Sequence, residues 1–485
     1  MDNNQIVKDL QPTEVFKYFG EICSIPHGSG NVKKISDYCV EFAKKNNLWV
    51  KQDEYGNVII KKAASKGYED RPGVIIQGHL DMVAVKENDC NKNMAEDGLD
   101  LEVDGDYLYA KGTSLGADDG IAVAYALAIL ASDNIEHPAI EAVFTVDEEI
   151  GLLGASAMDL SDIEGKIMLN IDSEEEDKFV VGCAGGATVE CVIPVERKKK
   201  SGTLIEVSIC NLCGGHSGVE IICQRANANV LAGRLLYNLS TEINMNIVTV
   251  SGGEKDNAIA KDAVVKILAD ENDVNDAISV IEQFKKAVKS EFSVTDPDLT
   301  VDIKVSEKET AEVIKKSSGK NVIAALINNP NGIMKMSNDI KGLVQTSLNL
   351  GKLTDKDDSI SLSYSVRSSV ATEKVHLINM LQNLTNVLGG RCTIFGAYPG
   401  WEYRKNSKLR DCMVGAYKKL KGSEPVVETI HAGLECGIIS EKIDDLDCIS
   451  FGPDIIDIHT TKEKLSISSA KRTWELILEV LKTIN

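Results

Sequence analysis

At 485 residues the chain is too long for one ordinary core, so two or three domains are expected. Its 43% hydrophobic and 26% charged content is that of a water-soluble globular protein, and a formal charge of -21 argues against nucleic acid or an anionic membrane as partner. The first ten residues carry Asp2 and Asp9 and no apolar core, the run Ile121–Ala131 is too short to span a bilayer, and the twelve cysteines are scattered along the chain. These features predict a cytoplasmic protein with reduced, mostly packed thiols.

Taken in order, Thr13–Ile22 reads as an amphipathic helix that the Pro26-His27-Gly28 loop stops, and Val32–Asn46 as a second helix. Strands are expected at Leu48–Lys51 and Asn57–Lys61. The apolar run Val74–Ile76 then suits a strand buried on both faces, and it delivers His79 and Asp81 at its end. Residues two apart on a strand share a face, a simple way to bring a carboxylate beside a metal-binding imidazole. Leu101–Tyr109 reads as a hairpin turning at Asp104-Gly105. Asp118 and Asp119 fall at the start of the apolar helix Ile121–Leu130, where helix capping is the plain alternative to a metal role.

Two further strands end in acids: Ala139–Val146 before Asp147-Glu148-Glu149, and Ile167–Ile171 before Asp172. Sites in open α/β sheets form beyond the carboxyl ends of strands. Three such ends, with Asp118 nearby, therefore predict a metal site. From about Gly186 the order becomes strand, helix, two strands, helix, strand, a ferredoxin-like unit. A second, related set follows. Pro399-Gly400-Trp401 reads as the return to the first domain, where Cys448–Phe451 forms a strand and His459 supplies a second imidazole. The expected domains are 1–186 and 399–485, making one α/β catalytic domain, and 187–398, an inserted α+β domain with modules at about 200–310 and 318–398.

His79, Asp118, Glu149, Asp172 and His459 offer nitrogen and carboxylate oxygen ligands without thiolate, which suits zinc, cobalt or manganese. Five ligands are too many for one open tetrahedral zinc and fit two divalent ions sharing a carboxylate, with Asp118 as the bridge. Glu148 would then be free to take a proton from the attacking water.

The motifs Gly78-His79-Leu80-Asp81-Met82, Leu115-Gly116-Ala117-Asp118-Asp119-Gly120, Val146-Asp147-Glu148-Glu149, Asn170-Ile171-Asp172, Gly214-Gly215-His216-Ser217 and His431-Ala432-Gly433-Leu434-Glu435-Cys436-Gly437 resemble the M20 peptidases. Within them the similarity is to the aminoacyl-histidine, or cytosol non-specific, dipeptidases, and it runs through nearly the whole chain. The resemblance implies a mixed-sheet, phosphorylase/hydrolase-like catalytic domain with a ferredoxin-like lid. It makes His79 a ligand of one metal and Asp81 its orienting acid. Asp118 becomes the bridge, with a cis Asp118–Asp119 peptide, and Glu148 the general base. Glu149 is a ligand, Asp172 the second metal's carboxylate and His459 a terminal ligand.

Substrate contacts would come from His216, Asn257, Arg367, His431, Gly433 and Glu435, with His216 meeting the substrate carbonyl and Arg367 its carboxylate. For His431, local loop packing is an equal alternative. The implied reaction is hydrolysis of dipeptides, Xaa-His included, with a homodimer common in the family. A tripeptidase, carboxypeptidase, N-acyl amino acid deacylase or inactive metal-binding interaction protein are the rivals. Two departures stand out: Thr460-Thr461 follows His459 where Pro is common, and Ala260 stands where the lid motif often has Pro. His137 and His376 read as surface residues.

Overall fold

The computed structural model describes residues 3–485, so Met1 and Asp2, part of the N-terminal reading above, lie outside it. The chain forms two compact units: residues 3–183, 401–429 and 434–485, and residues 184–400 with 430–433. No helix among the described residues is long and apolar enough to cross a membrane.

The first unit is built on an eight-stranded mixed sheet. Its order is Trp49–Gln52, Val58–Lys62, Ile140–Thr145, Val74–His79, Ile167–Asn170, Asp447–Ser450, Lys178–Cys183 and Val426–Ile430. Val74–His79 lies between Ile140–Thr145 and Ile167–Asn170 and is parallel to both, and all six of its residues are buried. That double coverage explains its unbroken apolar run. Because the three strands are parallel, their carboxyl ends emerge side by side. The helix Ala117–Ala131 packs on Val74–His79 and on the helix Thr13–Cys23. It is buried from Ala117 to Leu130, so it carries alanine and branched apolar residues all round rather than an amphipathic stripe. Gly78 faces it with no side chain: a Cβ there would lie 2.7 Å from that of Ala122. A small sheet pairs Lys464–Ser466 with the hairpin strand Tyr107–Ala110, which anchors the segment after His459.

The second unit holds a nine-stranded antiparallel sheet. One half runs Thr300–Ile314, Arg197–Cys210, Ala263–Ala269 and Met245–Gly252, the ferredoxin-like order 4-1-3-2. The other half has the same order, read as Arg391–Tyr398, Gly185–Pro194, Ser359–Ser368 and Val344–Asp355. Its first strand, Gly185–Pro194, precedes the other half in sequence, so the second set is not one continuous stretch. Gly252 pairs with Leu353 where the halves join, which makes one sheet of the two. The helices Ala228–Glu242, Val274–Glu291, Lys316–Asn328 and Ala371–Val387 bury their apolar faces in this unit's own core.

Candidate metal centre

His79 ends the central strand of the first unit. Its Nε2 lies 3.1 Å from Asp118 Oδ1 and 3.7 Å from Asp172 Oδ1. His459 Nε2 lies 3.1 Å from the other Asp118 oxygen, Oδ2, and 2.9 Å from Glu149 Oε1. The two oxygens of Asp118 thus face two different imidazoles. Two groups follow, His79 with Asp118 and Asp172, and His459 with Asp118 and Glu149, each with ligand atoms within 4.8 Å of one another. The distances therefore place Asp172 beside His79 rather than in the His459 group. Glu148 joins His79 and Glu149 in a third group of the same size.

These residues fit metal ions better than they fit one another. Tetrahedral ligands about 2.0–2.1 Å from zinc stand about 3.3–3.4 Å apart, close to the spacings here. Glu149 Oε1 is buried and has no hydrogen bond although His459 Nε2 is 2.9 Å away, as expected of two atoms aimed at a common point. Within the protein alone the charges are strongly coupled. Burial opposes charge on His79, yet Asp118, Asp172 and Asp81 raise its pKa well above the ordinary value. Asp118 and Glu149 push His459 up to about 10. Burial, with Asp172, Glu435 and Glu149 nearby, holds the Glu148 carboxyl up to about 9, against the pull of His79. Divalent ions held by these residues would reverse that balance and favour the carboxylates.

The supports around the centre are specific. His79 Nδ1 meets the backbone carbonyl of Asp81 at 2.9 Å, while the Asp81 carboxylate is 3.6 Å away. That carboxylate instead accepts from Ser29 Oγ at 2.8 Å and the Glu148 backbone N–H at 3.0 Å. Asp81 therefore orients His79 through its main chain and holds the Glu148-Glu149 loop with its side chain. The Asp118–Asp119 peptide is cis, and Asp119 Oδ2 accepts the backbone N–H of His79 at 3.1 Å.

Glu463 was not singled out from sequence. Its buried carboxylate accepts the N–H groups of Leu115 and Gly116 at 2.8 and 3.1 Å on one oxygen, and those of Ala117 and Asp118 at 2.8 and 3.4 Å on the other. It sits at the amino end of the Ala117–Ala131 helix, where free N–H groups and the helix dipole favour an anion. It also joins the loop carrying His459 to the loop carrying Asp118. Its one sequence signal is an acid four places after His459.

Glu435, expected to contact substrate, is fully buried in the first unit and accepts from Gln77 Nε2 at 2.5 Å and Thr145 Oγ1 at 2.6 Å. Both partners lie on the sheet beside His79, and burial raises the Glu435 carboxyl to about 7.

The remaining predicted residues belong to the second unit. His216 Nδ1 accepts the N–H groups of Gly218 and Val219, both at 3.3 Å, which leaves the proton on Nε2, ready to donate. Burial and Arg367 lower its pKa, so the ring is held neutral. His216 and Asn257 line one cleft of about 700 Å³ in this unit, with Lys255 and Lys261. Arg367 is buried, donates from Nη1 to the Tyr398 hydroxyl at 3.0 Å, and its Nε has no hydrogen-bond partner among the described residues. Ser347 pairs with Arg367 across the sheet, and its hydroxyl lies 2.7 Å from His431 Nε2. Burial, with Arg367 and His216, lowers His431 to about 4. Gly433 lets Tyr398 approach: a Cβ there would lie 2.6 Å from the Tyr398 ring. Tyr398 is a second residue that sequence reasoning missed. His137, expected at the surface, is buried, with Nδ1 2.7 Å from the Pro138 carbonyl oxygen.

The first unit is thus an α/β sheet whose parallel strand ends gather a carboxylate-bridged imidazole centre, in a chain with an inserted antiparallel α+β unit. The chain belongs to the peptidase family M20/M25/M40, whose model matches residues 75–483. It is 34% identical to the cytosol non-specific dipeptidase of Escherichia coli over 481 residues, 99% of both chains. It also superposes on the crystal structure of aminoacylhistidine dipeptidase from Vibrio alginolyticus with a TM-score of 0.94 and 34% identity, covering 99% of this chain and 98% of that one. Aminopeptidase PepT from Bacillus cereus shares the fold at a TM-score of 0.56 and 16% identity, over 98% and 99% of the two chains.

Proposed function

We propose that this chain is a metal-dependent dipeptidase that hydrolyses the single peptide bond of dipeptides, Xaa-His among them. The observation that carries this reading is the Asp118 carboxylate, with one oxygen facing His79 and the other His459. The full-length likeness to two dipeptidases supports the substrate class.

His79, Asp118 and Asp172 would hold one divalent ion, and Asp118, Glu149 and His459 the other, zinc being the natural choice with cobalt or manganese as substitutes. Bound there, the ions would polarise the scissile carbonyl and lower the pKa of a water molecule towards 7. Glu148 takes the proton from the attacking water and passes it to the leaving amine. Asp81 holds the Glu148 loop while this happens. The neutral His216 ring, with its proton on Nε2, suits donation to an oxyanion. Arg367, a buried guanidinium whose Nε is unpartnered among the described residues, suits the free carboxylate that every dipeptide carries next to its scissile bond. His431, Asn257 and Gly433 shape that substrate side, and Glu435 acts beneath His79. A cytoplasmic location and a homodimer accompany this reading.

The test is a substrate panel on one preparation whose metal content has been measured. Dipeptides, including Xaa-His, should be cleaved, and tripeptides and N-acyl amino acids should not. Metal-loaded protein that cleaves no dipeptide would overturn the proposal, and preference for tripeptides or acyl amino acids would move it to another amide hydrolase.

A further inference from the structure

Two cysteines of the second unit stand opposite each other on neighbouring antiparallel strands. Cys191 on Gly185–Pro194 pairs directly with Cys392 on Arg391–Tyr398, and their sulfurs are 2.8 Å apart. Directly opposed residues of antiparallel strands have Cα atoms about 4.5–5.5 Å apart, within the range a disulfide bridges without moving the backbone. The two thiols differ in access. Cys191 is fully buried, whereas Cys392 is part-exposed on a strand that closes one edge of the sheet. Its strand neighbours Arg391 and Thr393 are exposed. An oxidant can therefore reach Cys392 first and find Cys191 already in place behind it.

We propose that Cys191 and Cys392 form a thiol–disulfide exchange site that takes a low-molecular-weight disulfide as its oxidant. The Cys392 thiolate attacks one sulfur of the oxidant, breaks its S–S bond and releases one thiol, leaving a mixed disulfide at Cys392. Cys191 loses its proton and attacks the Cys392 sulfur, which expels the second thiol. Two electrons pass from the cysteine pair to the oxidant, and the two cysteine protons leave on its two thiols. The hydrogen bond between the two sulfurs lowers the Cys392 pKa, in the direction that favours it as the attacking group. The product cross-links the edge strand to its neighbour. That strand ends at Tyr398, which holds Arg367, so the site lies on the same strand as a substrate-side contact without belonging to it.

The opposed sulfur of Cys191 rather than exposure makes the proposal specific, since Cys90, Cys210 and Cys412 are part-exposed like Cys392. Cys23, Cys39, Cys183, Cys436 and Cys448 are buried, and Cys213 and Cys223 are exposed. The exposed pair should take up glutathione as mixed disulfides whatever happens at Cys392.

The experiment incubates the full chain with oxidised glutathione, quenches with acid, and maps peptides by mass spectrometry without reduction. The expected result is a peptide joining Cys191 to Cys392 that dithiothreitol abolishes. Cys191→Ser should instead trap glutathione on Cys392, and Cys392→Ser should leave Cys191 as a free thiol. A wild-type map in which Cys392 stays a free thiol, or carries glutathione with no link to Cys191, overturns the proposal. The wild-type map alone decides the matter if either variant fails to fold.

Discussion

Replacing Glu463 by Gln keeps the size and shape of the side chain and changes only what it can accept. In the native protein each carboxylate oxygen receives a short backbone hydrogen bond, 2.8 Å from Leu115 and 2.8 Å from Ala117, with longer ones from Gly116 and Asp118. An amide can satisfy only one side. Its NH2 end would face the N–H groups on the other side, donor against donor, in a buried place. Hydrogen bonds to charged groups are worth about 1.5–3 kcal/mol, and a stranded buried donor costs about 1–3 kcal/mol. The expected loss is about 2–3 kcal/mol of unfolding free energy, read from urea titration of the metal-free protein. Those N–H groups lead directly into Asp118, so the loop should also shift the bridging carboxylate. Loss of a residue that supports metal ligands typically weakens metal binding about 10–100-fold, and chelator competition at neutral pH should show that range. A Glu463→Gln protein that binds metal as tightly as the wild type would refute the idea that Glu463 sets the position of Asp118, whatever its stability.

Glu148→Ala should keep its metal content, measured by elemental analysis, while turnover falls at least about 10²–10⁴-fold; loss of metal together with activity would mean that Glu148 and Glu149 have exchanged roles. Arg367→Lys should raise KM for dipeptides about 10–100-fold with a smaller change in kcat, because an ammonium replaces a planar fork of donors. His431 has a folded pKa of about 4 against an ordinary 6.5, so between these values the unfolded chain binds the extra proton and stability falls as the pH drops. Between pH 7 and 5 this costs about 2 kcal/mol, and His431→Gln should flatten that part of the stability profile in denaturant titrations. Glu176 works at lower pH: Arg472 grips it at 2.7 and 2.8 Å, Lys421 at 2.5 Å, and these cations lower its pKa against the opposing effect of burial. Its contribution is present above the unfolded value of about 4.3 and lost as the pH falls through the folded one. Glu176→Gln should cost about 1–3 kcal/mol at pH 7 and progressively less below pH 4, by thermal or chemical unfolding.

The centre was legible wherever its chemistry follows from strand direction. His79, Glu149 and Asp172 all lie at or just beyond the ends of parallel, fully buried strands, and that pattern shows in their apolar runs. The grouping of Asp172 with His79 did not, because it depends on which strands are neighbours, and Val74–His79 is adjacent to Ile167–Asn170. Glu463 escaped notice for a different reason. It works by accepting main-chain N–H groups more than three hundred residues earlier, and no residue-type pattern marks such a partner. Glu435 stood in a recognisable motif, but a motif does not tell which way a side chain turns, and here it turns into the sheet. The ferredoxin-like order of the inserted unit could be read from alternating strands and helices. That its second set takes its first strand from residues 185–194 could not, since only the pairing of Gly185–Pro194 with Ser359–Ser368 reveals it.

The strand Asp447–Ser450 fills the place between Ile167–Asn170 and Lys178–Cys183 near the middle of the first unit's sheet. During synthesis its neighbours leave the ribosome long before it does, and the inserted unit is made in the interval. Asp447 lies 264 positions after Cys183, the end of the second neighbouring strand, so at about 5–20 residues per second the wait is on the order of half a minute. For that time the nascent chain holds an open seam with unpaired strand edges, a template for wrong partners. His79, Asp118 and Asp172 are present from the start of the interval, while the Glu149 side of the centre waits for His459. The two halves of the centre are therefore born in sequence, and the seam is where a slowed ribosome or a truncated message would leave this chain most prone to aggregate.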